Sequence, residues 1–194
     1  MLVKNLLLVI AVISLIGCSA TRTVKPSSIG PISIHPKVEV TTKPELLSGV
    51  SSLFTPYFES EKEKHKGYRL QLKDGGVDVG QIVLDQFRKG IAKHPVYSSK
   101  LADNGSNKFR ISVPYHALVQ QTTLSQKYAA NVTIVVELLS PSGEVLFKSI
   151  EQSCIFTKCV TPYTLEQLKA KPELLKEQYK EASNDAVSGV LADL

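Results

Sequence analysis

Residues 109–120 read FRISVPYHALVQ, residues 128–139 read YAANVTIVVELL, and residues 144–156 read EVLFKSIEQSCIF. In the first stretch Phe109, Ile111, Val113, Tyr115, Ala117 and Val119 fall at every second position, with Arg110, Ser112, His116 and Gln120 among the residues between them. In the second, Ala130, Val132, Ile134, Val136 and Leu138 repeat the pattern. Successive side chains of a strand point to opposite faces, so this period predicts strands with one buried and one wetter side. Ser140-Pro141-Ser142-Gly143 separates the second stretch from the third. Proline presets one backbone angle there and glycine accepts the left-handed conformation, which predicts a tight turn. Three long strands in succession make an antiparallel meander.

On both sides of this block the period changes. Between Asp78 and Lys93, Val79, Val83, Phe87 and Ile91 lie four residues apart, as one face of a helix requires. Asp74-Gly75-Gly76 turns into it, Asp78 is the candidate N-cap, and His94-Pro95 ends it. At that end an imidazolium on His94 would suit the negative pole of the helix. Near the C-terminus Thr164 and Gln167 have the spacing of a capping box, and Pro172 suits the first turn of a further helix. In that helix Leu175, Tyr179, Ala182, Ala186 and Val190 form an apolar stripe, which predicts packing on the meander.

The N-terminal half is less regular. Ile32, Ile34, Val38 and Val40 alternate, and Pro36 confines this strand to an edge. Leu46, Leu47, Val50, Leu53, Phe54, Tyr57 and Phe58 recur at three and four residues, predicting a helix from Pro44 that Pro56 ends or kinks near Phe54. The mixed charges of Glu59 to Lys64 predict a solvated end or loop, and Tyr68, Leu70 and Leu72 predict a short strand. The fold class expected is α+β: an antiparallel sheet containing the meander, helices packed on one face, and a C-terminal amphipathic helix. A length of 194 residues, 43% of them hydrophobic and 21% charged, suits one domain, here over 32–194.

The first eighteen residues, MLVKNLLLVIAVISLIGC, carry one lysine and then an apolar run from Leu6 to Ile16. That run is well short of the ~20 residues of a spanning helix, and it reads as a signal peptide over 1–17. The tetrad Leu15-Ile16-Gly17-Cys18 resembles the lipobox of bacterial lipoproteins. The resemblance implies that Cys18 becomes the N-terminus, with a diacylglycerol on its sulfur and an acyl chain such as palmitate on its amine. Residue 19 is Ser rather than Asp, which in such lipoproteins implies the outer membrane, on its periplasmic side. Residues 19–31, SATRTVKPSSIGP, then read as a tether, giving a lipidated segment over 18–31. The element order is similar to that of the small α+β lipoproteins of Gram-negative envelopes, among them lipopolysaccharide-assembly and transport-auxiliary lipoproteins.

The formal charge of the whole chain is +5. Cleavage before Cys18 removes Lys4 and no acidic residue, leaving a mildly basic chain. No Lys/Arg-rich run with interleaved aromatics is present, so nucleic acid is not an expected partner. Cys154 and Cys159 are the other two cysteines, and in an exported chain they are expected to form a disulfide, with two unpaired thiols as the alternative. His35, His65, His94 and His116 occur singly, outside HxH or HExxH spacing. Gly75-Gly76-Val77-Asp78-Val79-Gly80 lacks both GxGxxG spacing and a Gly-Lys-Ser/Thr ending, so it reads as a turn. Asn131-Val132-Thr133 matches a glycosylation sequon on a predicted strand and reads as incidental.

No catalytic residue, metal or cofactor is expected on these grounds. The expected function is a non-enzymatic accessory or docking subunit of an envelope assembly or transport complex. Its contacts are expected to be the membrane, through the lipid, and an envelope protein complex, with Arg110 and His116 of the wetter face as candidate partner-binding residues. The alternative is a lipid-, glycan- or lipopolysaccharide-binding module.

Overall fold

The computed structural model describes residues 20–43, 45–47, 72, 75–122, 125–153 and 159–194. The three alternating stretches form β5 (Asn107–Gln120), β6 (Lys127–Leu139) and β7 (Val145–Gln152). They pair antiparallel, with Phe109 opposite Leu138 and Leu138 opposite Phe147. Gly143 takes φ +86° and donates its amide to the Ser140 carbonyl at 2.9 Å, closing the turn between β6 and β7. The meander is therefore as the sequence predicts.

The other edge of β5 carries three short strands, β2 (Ile32–Ile34), β3 (Glu39–Val40) and β4 (Glu45–Leu47), one after another along its length. All three run parallel to β5, so the sheet is mixed rather than wholly antiparallel. The cause is the crossover. Between β4 and β5 comes α1 (Val79–Ile91), and a chain that returns through a helix on the face of the sheet re-enters in the same direction. The strand expected over 32–40 is real but broken, and Pro36 lies in the gap between its two halves. The helix expected from Pro44 begins instead with β4, because the edge of β5 at Ala117 to Val119 supplies backbone partners there. The rest of that helix lies outside the described residues. So does the short strand expected at 68–72, apart from Leu72, which is helical and buried.

Two further strands complete the eight. Here β8 (Tyr163–Thr164) continues along β6 beyond the end of β7, while β1 (Thr21–Arg22) pairs antiparallel with β7. The segment expected to be a free tether is thus laid on the sheet from Thr21 onward, and Ile29 within it is buried. Backbone groups on the outer edge of β7 from Leu146 to Lys148 find partners in this pairing, which a solvated linker would leave to water.

Helix α1 starts as expected, with the Asp78 carboxylate accepting from the Gln81 amide at 2.9 Å. In the next helix, α2 (Leu165–Ala170), Thr164 and Gln167 form the reciprocal capping box. The terminal helix α3 (Glu173–Asp193) follows directly after Pro172. Phe87 and Ile91 of α1, and Leu175, Tyr179, Ala182 and Val190 of α3, are fully buried with Phe109, Val132, Ile134, Val136 and Leu138 of the sheet. The core therefore lies between the helices and one sheet face.

Candidate functional site

The alternation of β5 does not run through unbroken. Its register against β6 shifts between Ser112 and Tyr115, where Pro114, without an N–H, sits in the strand. The extra residue reverses which positions face the helices. Phe109, Ile111 and Val113 point to the core before the bulge, whereas His116 and Leu118, opposite Val132 and Ala130, take that side after it, with Ala117 between them buried as well. His116, expected on the wetter face, is only 4% exposed. Its Nδ1 lies 3.2 Å from the hydroxyl of Tyr179 on α3, and the two rings meet edge to face. Burial lowers its pKa from the ordinary value, and a hydrogen bond to the Thr42 backbone pulls the other way. His116 is an interior residue holding α3 to the sheet, and its placement among partner-contact residues is corrected.

Arg110 is where the sequence put it. On the face away from α1 and α3, Thr21, Lys148, Glu137 and Arg110 stand side by side across β1, β7, β6 and β5. Arg110 donates to Glu137 Oε2 from Nε at 2.9 Å and from Nη2 at 2.6 Å, and Lys148 Nζ lies 3.2 Å from Oε1. Burial alone would raise the pKa of Glu137, but the hydrogen bonds and charges of Arg110 and Lys148 outweigh it and hold the carboxyl below its usual value. The Arg110 side chain remains 54% exposed. Beside this row run Ser112, Val135 and Ile150, then Tyr115, Thr133 and Gln152, all partly or fully exposed. A cationic row next to a mixed apolar and hydroxyl-bearing surface can bind through charge-assisted hydrogen bonds and side-chain packing.

Cys18 and Cys154 lie outside the described residues, whereas Cys159 is half-buried against the core. His94 does not act as an imidazolium at the end of α1. Its Nδ1 accepts from the amides of Val96 and Tyr97 at 3.2 and 3.3 Å, which requires an unprotonated nitrogen. Its pKa is lowered, by burial first, against a hydrogen bond to the Leu191 backbone and with the charge of Arg22 nearby. Asn131 of the sequon is an interior residue, donating to the Ser153 carbonyl at 2.8 Å and accepting from Gln152 at 2.8 Å.

Sequence reasoning missed a clip at the N-terminal edge. Arg22 donates to the carbonyl oxygens of Asp193, at 2.9 Å, and of Leu194, while its guanidinium lies 5.8 Å from the centre of the Phe147 ring. Ser149 donates to the Asp193 carboxylate at 2.6 Å. The signal was faint: Thr21-Arg22-Thr23-Val24 is rich in β-branched residues for a linker. Among the described residues no group of three or more histidine, cysteine or acidic residues is placed to hold a metal, and no helix is long and apolar enough to cross a membrane.

No protein-family model matches the chain, and no curated protein matches it. Among solved structures the chain is similar to the PelC dodecamer from Paraburkholderia phytofirmans, with a TM-score of 0.38 and 11% identity over 91% of this chain and 97% of that one. It is also similar to protein XCC0632 from Xanthomonas campestris, described as DUF330, with a TM-score of 0.42 and 13% identity over 90% of this chain and 93% of that one.

Proposed function

We propose that the chain is a lipid-anchored envelope lipoprotein, held through Cys18 on the periplasmic side of the outer membrane, and that it serves as a non-enzymatic accessory or docking subunit of an envelope assembly or transport complex. The observation that carries the reading is the juxtaposition of the lipobox-like Leu15-Ile16-Gly17-Cys18 with a sheet that starts at Thr21 and leaves the Arg110–Glu137–Lys148 face uncovered by α1 and α3. A domain held in the plane of the membrane meets a partner in the same plane at high effective concentration, so modest affinity is enough. Arg110, on the open face, is the residue we assign to that contact. We also propose that Cys154 and Cys159 form a disulfide that closes the short segment between β7 and β8.

The test is crosslinking in cells, with mass spectrometry of the chain recovered from membranes, compared with a Cys18→Ala form. The expected outcome is a mass increase from acyl chains on Cys18, a stoichiometric envelope protein crosslinked to the anchored form, and its loss with Arg110→Glu. An unacylated Cys18 would overturn the anchor. An acylated chain recovered alone, or only with lipid or glycan, would overturn the docking role and favour a lipid- or glycan-binding module. The same spectra, taken without reductant, would show the disulfide as a linked peptide pair lighter by two hydrogen atoms than the sum of the two thiol peptides.

A further inference from the structure

Only Ser19 and Ala20 separate Cys18 from β1. Three Cα steps at ~3.5 Å each reach about 11 Å at full extension. The head-group layer on one side of a bilayer is about 6 Å deep, judged from the ~30 Å hydrocarbon core and the ~42 Å total. A leash this short leaves little room for anything between the lipid and the strand that ends it. Moreover β1 is the outermost strand on its side, in the order β1-β7-β6-β5-β2, and its two residues are exposed. It cannot swing away freely, because Arg22 grips the end of α3 and Thr23 donates to the Leu146 carbonyl at 3.0 Å. Lys25, three residues beyond Arg22, is exposed, and Lys148 is directly opposite Thr21, its side chain 42% exposed.

We infer that the β1–β7 edge, with Thr21, Lys25 and Lys148, lies against the phosphate-bearing head groups of the bilayer that holds Cys18, and that the edge formed by β2, β3 and β4 faces away. This rests on the acylation of Cys18 proposed above and adds the orientation of the domain. The hydroxyl of Thr21 and the ammonium groups of Lys25 and Lys148 are donors suited to phosphate oxygens. With four strand spacings of about 4.8 Å between β1 and β2, the far edge stands roughly 19 Å farther from the lipid. The open face with Arg110 then stands upright beside the membrane, accessible to a neighbour in the same plane.

The experiment uses the full acylated chain in vesicles of phosphatidylethanolamine and phosphatidylglycerol. A photoreactive benzoylphenylalanine replaces Lys148, Lys25 or, on β3 at the far edge, Glu39. Phospholipid adducts are counted by mass after illumination. At least about fivefold more adduct at 148 and 25 than at 39 is expected, and a ten-residue Gly/Ser insertion between Ala20 and Thr21 should abolish the difference while the chain stays membrane-bound. Equal or reversed adduct counts on an acylated chain would overturn the orientation alone. A chain whose intact mass shows no acyl group would overturn the anchor, and with it the basis of the orientation.

Discussion

Tyr97 is fully buried, packed edge-on against Phe109, and its hydroxyl has no hydrogen-bond partner among the described residues. Burial raises the pKa of that hydroxyl, with the Arg22 charge acting against it. A buried donor with no partner carries its desolvation cost uncompensated. Replacing it should therefore help: Tyr97→Phe is expected to leave the fold intact and to raise unfolding stability by up to about 1 kcal/mol, read from the urea midpoint. A loss of more than about 1 kcal/mol would mean that the hydroxyl is satisfied.

At the scale of elements, the joint between β2 and β5 depends on one close approach. A Cβ built on Gly105 would lie 2.3 Å from the carbonyl carbon of Ile32, on backbone that cannot move without breaking the pairing. The same joint is held by the Ala102 amide on the Ile32 carbonyl at 2.8 Å and by Asn107 on the Pro31 carbonyl. Gly105→Ala is expected to cost about 1–3 kcal/mol, the range for overpacking, and to release β2 first. Loss of amide protection at Ser33, His35 and Asn107 in hydrogen exchange, with β6 still protected, would identify it. The meander, α1, the capping box and α3 were legible because each is decided within its own stretch, by period, cap or turn residue. What was not legible is decided by partners. The run from Leu46 to Phe58 has helical spacing, yet its start is drawn into β4 by the open edge of β5. One bulge at Pro114 moved His116 from the wet face to the core, since period two turns any single-residue shift into a change of face. Arg110 precedes the bulge and stayed where alternation placed it.

For the whole molecule, three titrating groups give the same sign. His94 and His116 have pKa values below the ordinary 6.5 in the folded state, so the unfolded chain takes up protons first as pH falls. Their contribution is complete above about pH 6.5 and is lost as the pH drops through and below that value. Glu137, held below 4.5, adds a second loss at still lower pH. Urea unfolding is thus expected to show lower stability at pH 5.5 than at 7.5, and the variant with His94→Gln and His116→Gln should flatten that step while leaving the loss below pH 4.5. A step unchanged in this variant would assign it to other groups.

The clip formed by Arg22 also has a bearing on time. Arg22 and Asp193 are 171 positions apart, and Thr23 and Leu146 are 123 apart. The first closes a loop of nearly the full span of the chain and the second one of about two thirds of it, and both can be made only after the intervening residues exist. In a chain made and threaded from its N-terminus, residues 20–25 emerge first and find their seat last. Until α3 is complete, Arg22 has no carbonyl at Asp193 to grip.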